Sequence, residues 1–142
     1  MKKLEYELCQ RGLLLFVFGL ALGFFISAFP VRPMARAAHE AALQSGTFLI
    51  AIGWAWPKLN WSARKSTILA RLSWISFYCL TLGLTCAALF PQGAAAAGAS
   101  RGIGPVVANV LNIGSSVLML VVSVLVLFAF RGVPLSDAIK EQ

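Results

Sequence analysis

A chain of 142 residues that is 59% hydrophobic and only 12% charged falls well short of the roughly one-quarter charged residues of a soluble domain. The same composition excludes intrinsic disorder, and 12 Gly, 6 Pro and 3 Cys without a repeat exclude collagen-like and disulfide-framework classes. What remains is an integral membrane protein, in which 12 Lys+Arg against 5 Asp+Glu, a net charge of +7, point to loops beside anionic lipid rather than to nucleic acid.

Crossing a hydrocarbon layer of roughly 30 Å takes about 20 apolar residues in a helix. The first such stretch, Gly12 to Phe29, is uncharged and ends at Pro30. Lys2 and Lys3 ahead of it imitate a secretory leader, but Glu5 and Glu7 interrupt the basic run and three further spans follow, so it reads as an uncleaved helix. The second stretch, His39 to Trp56, carries Glu40 in its first turn and ends at Pro57. A short basic link over 57–71 follows, with Trp54, Trp56 and Trp61 close by, the residue type that anchors at membrane interfaces. The third, Leu72 to Phe90, is uncharged and ends at Pro91. Residues 91–105, PQGAAAAGASRGIGP, form a Gly/Ala-rich loop placed to fold over the mouth of a bundle. The fourth, Val106 to Phe130, begins after Pro105. Each proline stands where a helix starts or stops.

These stretches predict an all-α integral membrane four-helix bundle forming a single domain over 1–142. The two halves show no repeat, which argues against a transporter built by duplication. One side holds Lys2, Lys3, Arg11, Lys58, Arg64, Lys65, Arg71, Arg131 and Lys140; the other holds Arg32, Arg36 and Arg101. That bias puts both termini in the cytoplasm, at the inner membrane of a cell of bacterial type.

Gly98 to Gly104, GASRGIG, imitates a dinucleotide-binding turn, but no strand precedes it and no room for a parallel sheet follows, so it reads as a Gly-rich loop. Cys9, Cys79 and Cys86 read as small buried hydrophobes, and the acids do not pair into a general acid–base site. Gly19 and Gly23, like Gly46 and Gly53, have the spacing of close helix packing. The informative residue is His39, the only histidine. At 100° per residue it shares a stripe with Leu43, Gly46, Ile50 and Gly53, whose glycines leave a trough for a planar ligand or for another helix. A neutral imidazole is a common metal or haem ligand, although a bond to a backbone carbonyl is the plainer reading from spacing alone. Gln44, Asn109 and Asn112 are the span amides that their own helices do not absorb, and they outline a pocket with His39, Ser45 and Tyr78. Tyr78 enters its span from the cytoplasmic end, which argues against its touching His39.

Pro33-Met-Ala-Arg-Ala-Ala-His39, Ser45-Gly46-Thr-Phe-Leu-Ile-Ala-Ile-Gly53 and Trp56-Pro57-Lys58-Leu59 together resemble the hydroxylaminobenzene mutase family and, more distantly, the styrene oxide isomerases. The likeness covers roughly residues 30–59 and rests elsewhere on the number and placement of spans. It implies a homotrimer in which haem b, at the subunit interface, is ligated through its metal by His39, with Gly46 beside the cofactor. It further implies an isomerase in which the iron acts as a Lewis acid on a small aromatic substrate, with Ser45 and Tyr78 near that substrate. A hydroxylaminoarene would give an aminophenol and an aryl epoxide an aldehyde. Three positions depart from the pattern: Ser45 stands where the family has Asn, Glu40 follows the histidine by one residue instead of two, and Leu80 replaces an Asn. The rival expectations are a non-enzymatic membrane subunit, or a haem-binding homologue without isomerase activity.

Overall fold

The computed structural model describes residues 2–59, 61–90 and 103–131. Four helices follow in chain order: α1 (Lys2–Phe25), α2 (Arg32–Ala55), α3 (Ala63–Leu89) and α4 (Ile103–Arg131). One-turn 3₁₀ segments extend α1 over Ile26–Ala28 and α2 over Trp56–Lys58. The 91–105 loop lies largely outside the described residues, as do the tail beyond 131 and with it Lys140.

The helices begin and end close to the prolines, with one correction. α2 starts at Arg32, seven residues before His39, because Pro33 fits the first helical turn, where no backbone donor is needed. The Val31 amide donates to the Ala88 carbonyl at 3.1 Å, tying the α1–α2 corner to the end of α3. Trp56 also departs from its interfacial expectation. It is 1% exposed, its indole Nε1 donates to Ser66 Oγ at 2.7 Å, and Trp61 stacks edge-on against it. Trp54, 78% exposed, points outward.

α2 packs along both α1 and α3, while α4 lies along α3. Among the described residues α4 makes no backbone approach to α1 or α2, so the chain forms a three-helix core with α4 applied to one side. Glycine explains the closest seam. A Cβ on Gly46 would sit 2.7 Å from the Gly12 carbonyl and the Phe16 amide, and one on Gly12 would sit 2.7 Å from the Gly46 carbonyl. Both backbones therefore approach to a separation that any side chain would block. Leu8, Leu15 and Leu22 line the buried side of α1 at heptad spacing, and Leu49, Ile52, Phe77, Val122 and Val126 continue the core. Ser73, Thr81 and Thr85 donate to carbonyls one turn back, and Ser76 donates to the Ser73 carbonyl. Their own helix thus satisfies these hydroxyls.

Among the described residues two helices, Lys3–Ala28 and Ala63–Leu89, are long and apolar enough to cross a membrane. A shorter apolar stretch runs over Val110–Val126 in α4. α2 has 24 residues, but Arg32, Arg36, His39 and Glu40 crowd its first half.

Candidate functional site

His39 is set by the register of α1 against α2. Its imidazole lies over Gly23, where an added Cβ would be 2.8 Å from Cε1 and 3.0 Å from Nδ1. Nδ1 is 2.7 Å from the Gly19 carbonyl oxygen. A carbonyl only accepts, so Nδ1 carries the hydrogen, and in the neutral ring Nε2 keeps its lone pair. Gly19 and Gly23 fall in the middle of the uncharged stretch of α1. His39 therefore lies two turns inside α2, which begins at Arg32, and beside the middle of the uncharged stretch of α1.

Gly46, two turns further along the same stripe, meets α1 and not open space, with the Gly12 carbonyl and Phe16 filling its notch. Gly53 is filled in the same way by Cys9. The trough expected below His39 is thus occupied by another helix.

Ser45 faces the other way. It is 4% exposed and lines a cleft of about 260 Å³ with Ala41, Gln44, Phe48, Phe77, Leu80 and Met119, between α2, α3 and α4. Phe48 and Phe77 meet edge-to-face on its wall, with ring centroids 5.5 Å apart. Unlike the hydroxyls satisfied within α3, Ser45 Oγ makes no hydrogen bond. A nearly apolar cavity with one free hydroxyl and one amide suits a single aromatic ring carrying an oxygen substituent.

Gln44 also lines a shallower groove of about 440 Å³ with Leu43, Thr47, Phe48 and Ala51. That groove continues an exposed polar row, Arg36, Glu40, Gln44 and Thr47, along the outward face of α2. Within the described residues, neither Arg36 nor Glu40 has an ion-pair partner.

Tyr78 is held elsewhere. Its hydroxyl donates to the Arg11 carbonyl at 2.9 Å, and Trp74 stands edge-on to its ring. Arg11 and Gly19 are eight residues apart on α1, about 12 Å of helix, so Tyr78 and His39 attach to α1 at different levels. Ser45 follows His39 by about 9 Å along α2 and faces α3. Within one protomer the three side chains meet different neighbours. Asn112 packs its amide against Gly83, and its buried Oδ1 has no hydrogen-bond partner. The Asn109 side chain and residues 98–102 of the GASRGIG segment lie outside the described residues.

Among the described residues no three His, Cys, Asp or Glu gather to hold a bare metal ion. The three cysteines are free. Haem asks for a single protein ligand, and with Nδ1 spent on the Gly19 carbonyl His39 keeps one ring nitrogen uncommitted. Gly19 and Gly23 as the seat of the imidazole were hidden in the sequence. Spacing marked the glycines only as packing residues, and nothing local shows which carbonyl the ring meets.

No curated protein and no solved structure matches the chain. The family model described as styrene oxide isomerase matches residues 4–131, from the first turn of α1 to the end of α4. With its apolar helices this match points to a membrane protein of isomerase type, and it shows that the chain belongs to the styrene oxide isomerase family.

Proposed function

We propose that this protein is an inner-membrane isomerase that rearranges a small aromatic oxygenated substrate with the help of haem b bound through His39. The observation that carries the reading is the Nδ1–H bond from His39 to the Gly19 carbonyl. Ligating histidines are oriented in this way, by a hydrogen bond from the ring nitrogen that does not bind the metal. The bond fixes the ring, and Gly23 gives it room. Gly46, whose notch α1 fills, is not among the residues that would hold the cofactor. Ferric haem at His39 would supply a Lewis acid that polarises a C–O or N–O bond.

The chain's own residues bind and shield the substrate. Phe48, Phe77, Leu80 and Met119 accept the ring and exclude water that would trap a developing cation. Ser45 Oγ and the Gln44 amide bind its oxygen substituent; since His39 of the same chain faces α1, the iron that acts on this cleft would be that of a neighbouring subunit in the trimer. The substrate is a hydroxylaminoarene leaving as an aminophenol, or an aryl epoxide leaving as an aldehyde. Assembly as a homotrimer is supported by the outward row of α2. In lipid, Arg36, Glu40 and Gln44 would lack polar partners, and polar residues at such positions face protein. Both termini lie in the cytoplasm, on the basic side of the chain.

Protein purified in detergent from haem-replete cells is expected to show a Soret band that His39→Ala abolishes while helicity is kept. A folded but colourless wild type sinks the cofactor. Haem-loaded protein that rearranges neither hydroxylaminobenzene nor styrene oxide sinks the activity on these substrates. The second reading, a haem-binding homologue without isomerase activity, is favoured by the engagement of Tyr78 with Arg11 and by the aliphatic Leu80.

A further inference from the structure

Arg11 is the last charge before the uncharged stretch of α1, and Arg71 the last before that of α3. Both helices run in the same direction, since each is antiparallel to α2, and the Tyr78–Arg11 bond sets their register. Arg11 therefore lies about two turns further along than Arg71, toward the same end of the two helices. Arg11 does not extend into solvent there. Its guanidinium carbon lies 3.9 Å above the centre of the Trp74 ring, and Trp74 follows Arg71 by one turn on the same face of α3. No carboxylate pairs with either arginine among the described residues, and the Trp74 indole N–H has no acceptor. A half-buried guanidinium held on an aromatic face thus has unspent donors where the uncharged stretch of α1 begins.

Each arginine also heads an exposed apolar row on its own helix. Leu14, Phe18 and Phe25 follow Arg11, and Ile75, Leu82 and Leu89 follow Arg71, all within about 60° of their arginine around the helix. We propose that Arg11, Trp74 and Arg71 form a binding site for the phosphodiester headgroup of an anionic phospholipid, whose acyl chains lie along these rows. Arg11 accepts the phosphate bidentately, which a guanidinium does and an ammonium does not. Arg71 supplies the second charge and Trp74 the planar support. Tyr78, matched by resemblance to a substrate residue, here acts as the strut that fixes the Arg11 backbone.

The test is native mass spectrometry of the full-length protein released from micelles containing phosphatidylglycerol or phosphatidylcholine, alongside the thermal midpoint in each mixture. Wild type is expected to retain phosphatidylglycerol preferentially and to gain stability from it. Arg11→Gln is expected to bind it about tenfold more weakly, and Arg71→Gln several-fold more weakly. Arg11→Lys keeps the charge, and so guards against misfolding, but recovers only part of the preference. Undiminished preference for phosphatidylglycerol in the double variant Arg11→Gln/Arg71→Gln overturns the proposal. Stabilisation by millimolar inorganic phosphate equal to that by the lipid also overturns it, since the occupant would then be a free anion.

Discussion

Gly46→Ala perturbs the tightest seam of the molecule, and its cost follows from geometry. The new Cβ would stand 2.7 Å from the Gly12 carbonyl oxygen, 2.7 Å from the Phe16 amide nitrogen and 2.9 Å from Phe16 Cβ. Ordinary contact begins near 3.4 Å, so α1 and α2 must separate by 3.4 minus 2.7, or about 0.7 Å. Two of these neighbours are backbone atoms, so no rotamer change relieves the clash. Overpacking of this kind costs about 1–3 kcal/mol. Alanine returns about 1 kcal/mol in helix propensity, leaving a net loss of up to about 2 kcal/mol and a fall of up to about thirtyfold in the folded-to-unfolded ratio. Gly114 is the control, because a Cβ there meets nothing within 4 Å, so Gly114→Ala should be neutral or stabilising. Unfolding in micelles, followed by far-ultraviolet circular dichroism, measures both variants. The parted helices should also loosen the His39–Gly19 bond two turns away, so haem occupancy should fall with stability in Gly46→Ala alone. Equal stabilities for the two variants would refute the close-packed seam.

Gly23→Ala crowds a side chain instead of backbone, since its Cβ would meet the His39 ring at 2.8 Å. The ring is expected to swing away, giving a stability loss near 1 kcal/mol but a large loss of haem absorbance; an unchanged Soret band would mean that the imidazole does not depend on this cradle. Ser66→Ala leaves the buried Trp56 indole N–H without its acceptor and should cost about 1–3 kcal/mol, most of it recovered when Trp56→Phe removes the donor as well. A double-mutant cycle showing additive losses contradicts that pairing. Tyr78→Phe should lower the unfolding midpoint by the equivalent of about 1 kcal/mol while the folded fraction keeps its isomerase activity. Lost activity at unchanged stability would return Tyr78 to the substrate. Asn112→Ala removes a buried acceptor that has no partner, so it should be neutral or stabilising, and a loss above about 2 kcal/mol would mean that Oδ1 has a donor.

The apolar stretches, their bounding prolines and the dominance of helix were legible in the sequence because they depend on local chemistry: hydropathy summed over twenty residues and the missing amide of proline. The start of α2 was not, since Arg32 to Ala38 is polar by hydropathy yet helical by propensity, and only packing against α1 decides between the two. His39 stood out as the only histidine, and its stripe with Gly46 and Gly53 suited a planar ligand or a second helix, with packing the plainer reading of the glycines. The structure fills that stripe with α1, because two backbones that meet glycine to glycine gain close contact over several turns. Where the remaining side chains point was likewise a tertiary matter. The Arg11 carbonyl, 67 residues away in sequence, captures Tyr78, a turn of register puts the His39 ring over Gly23, and the rotation of α2 sends Ser45 toward α3. Those choices follow from how helices interlock, which no window along a single chain contains.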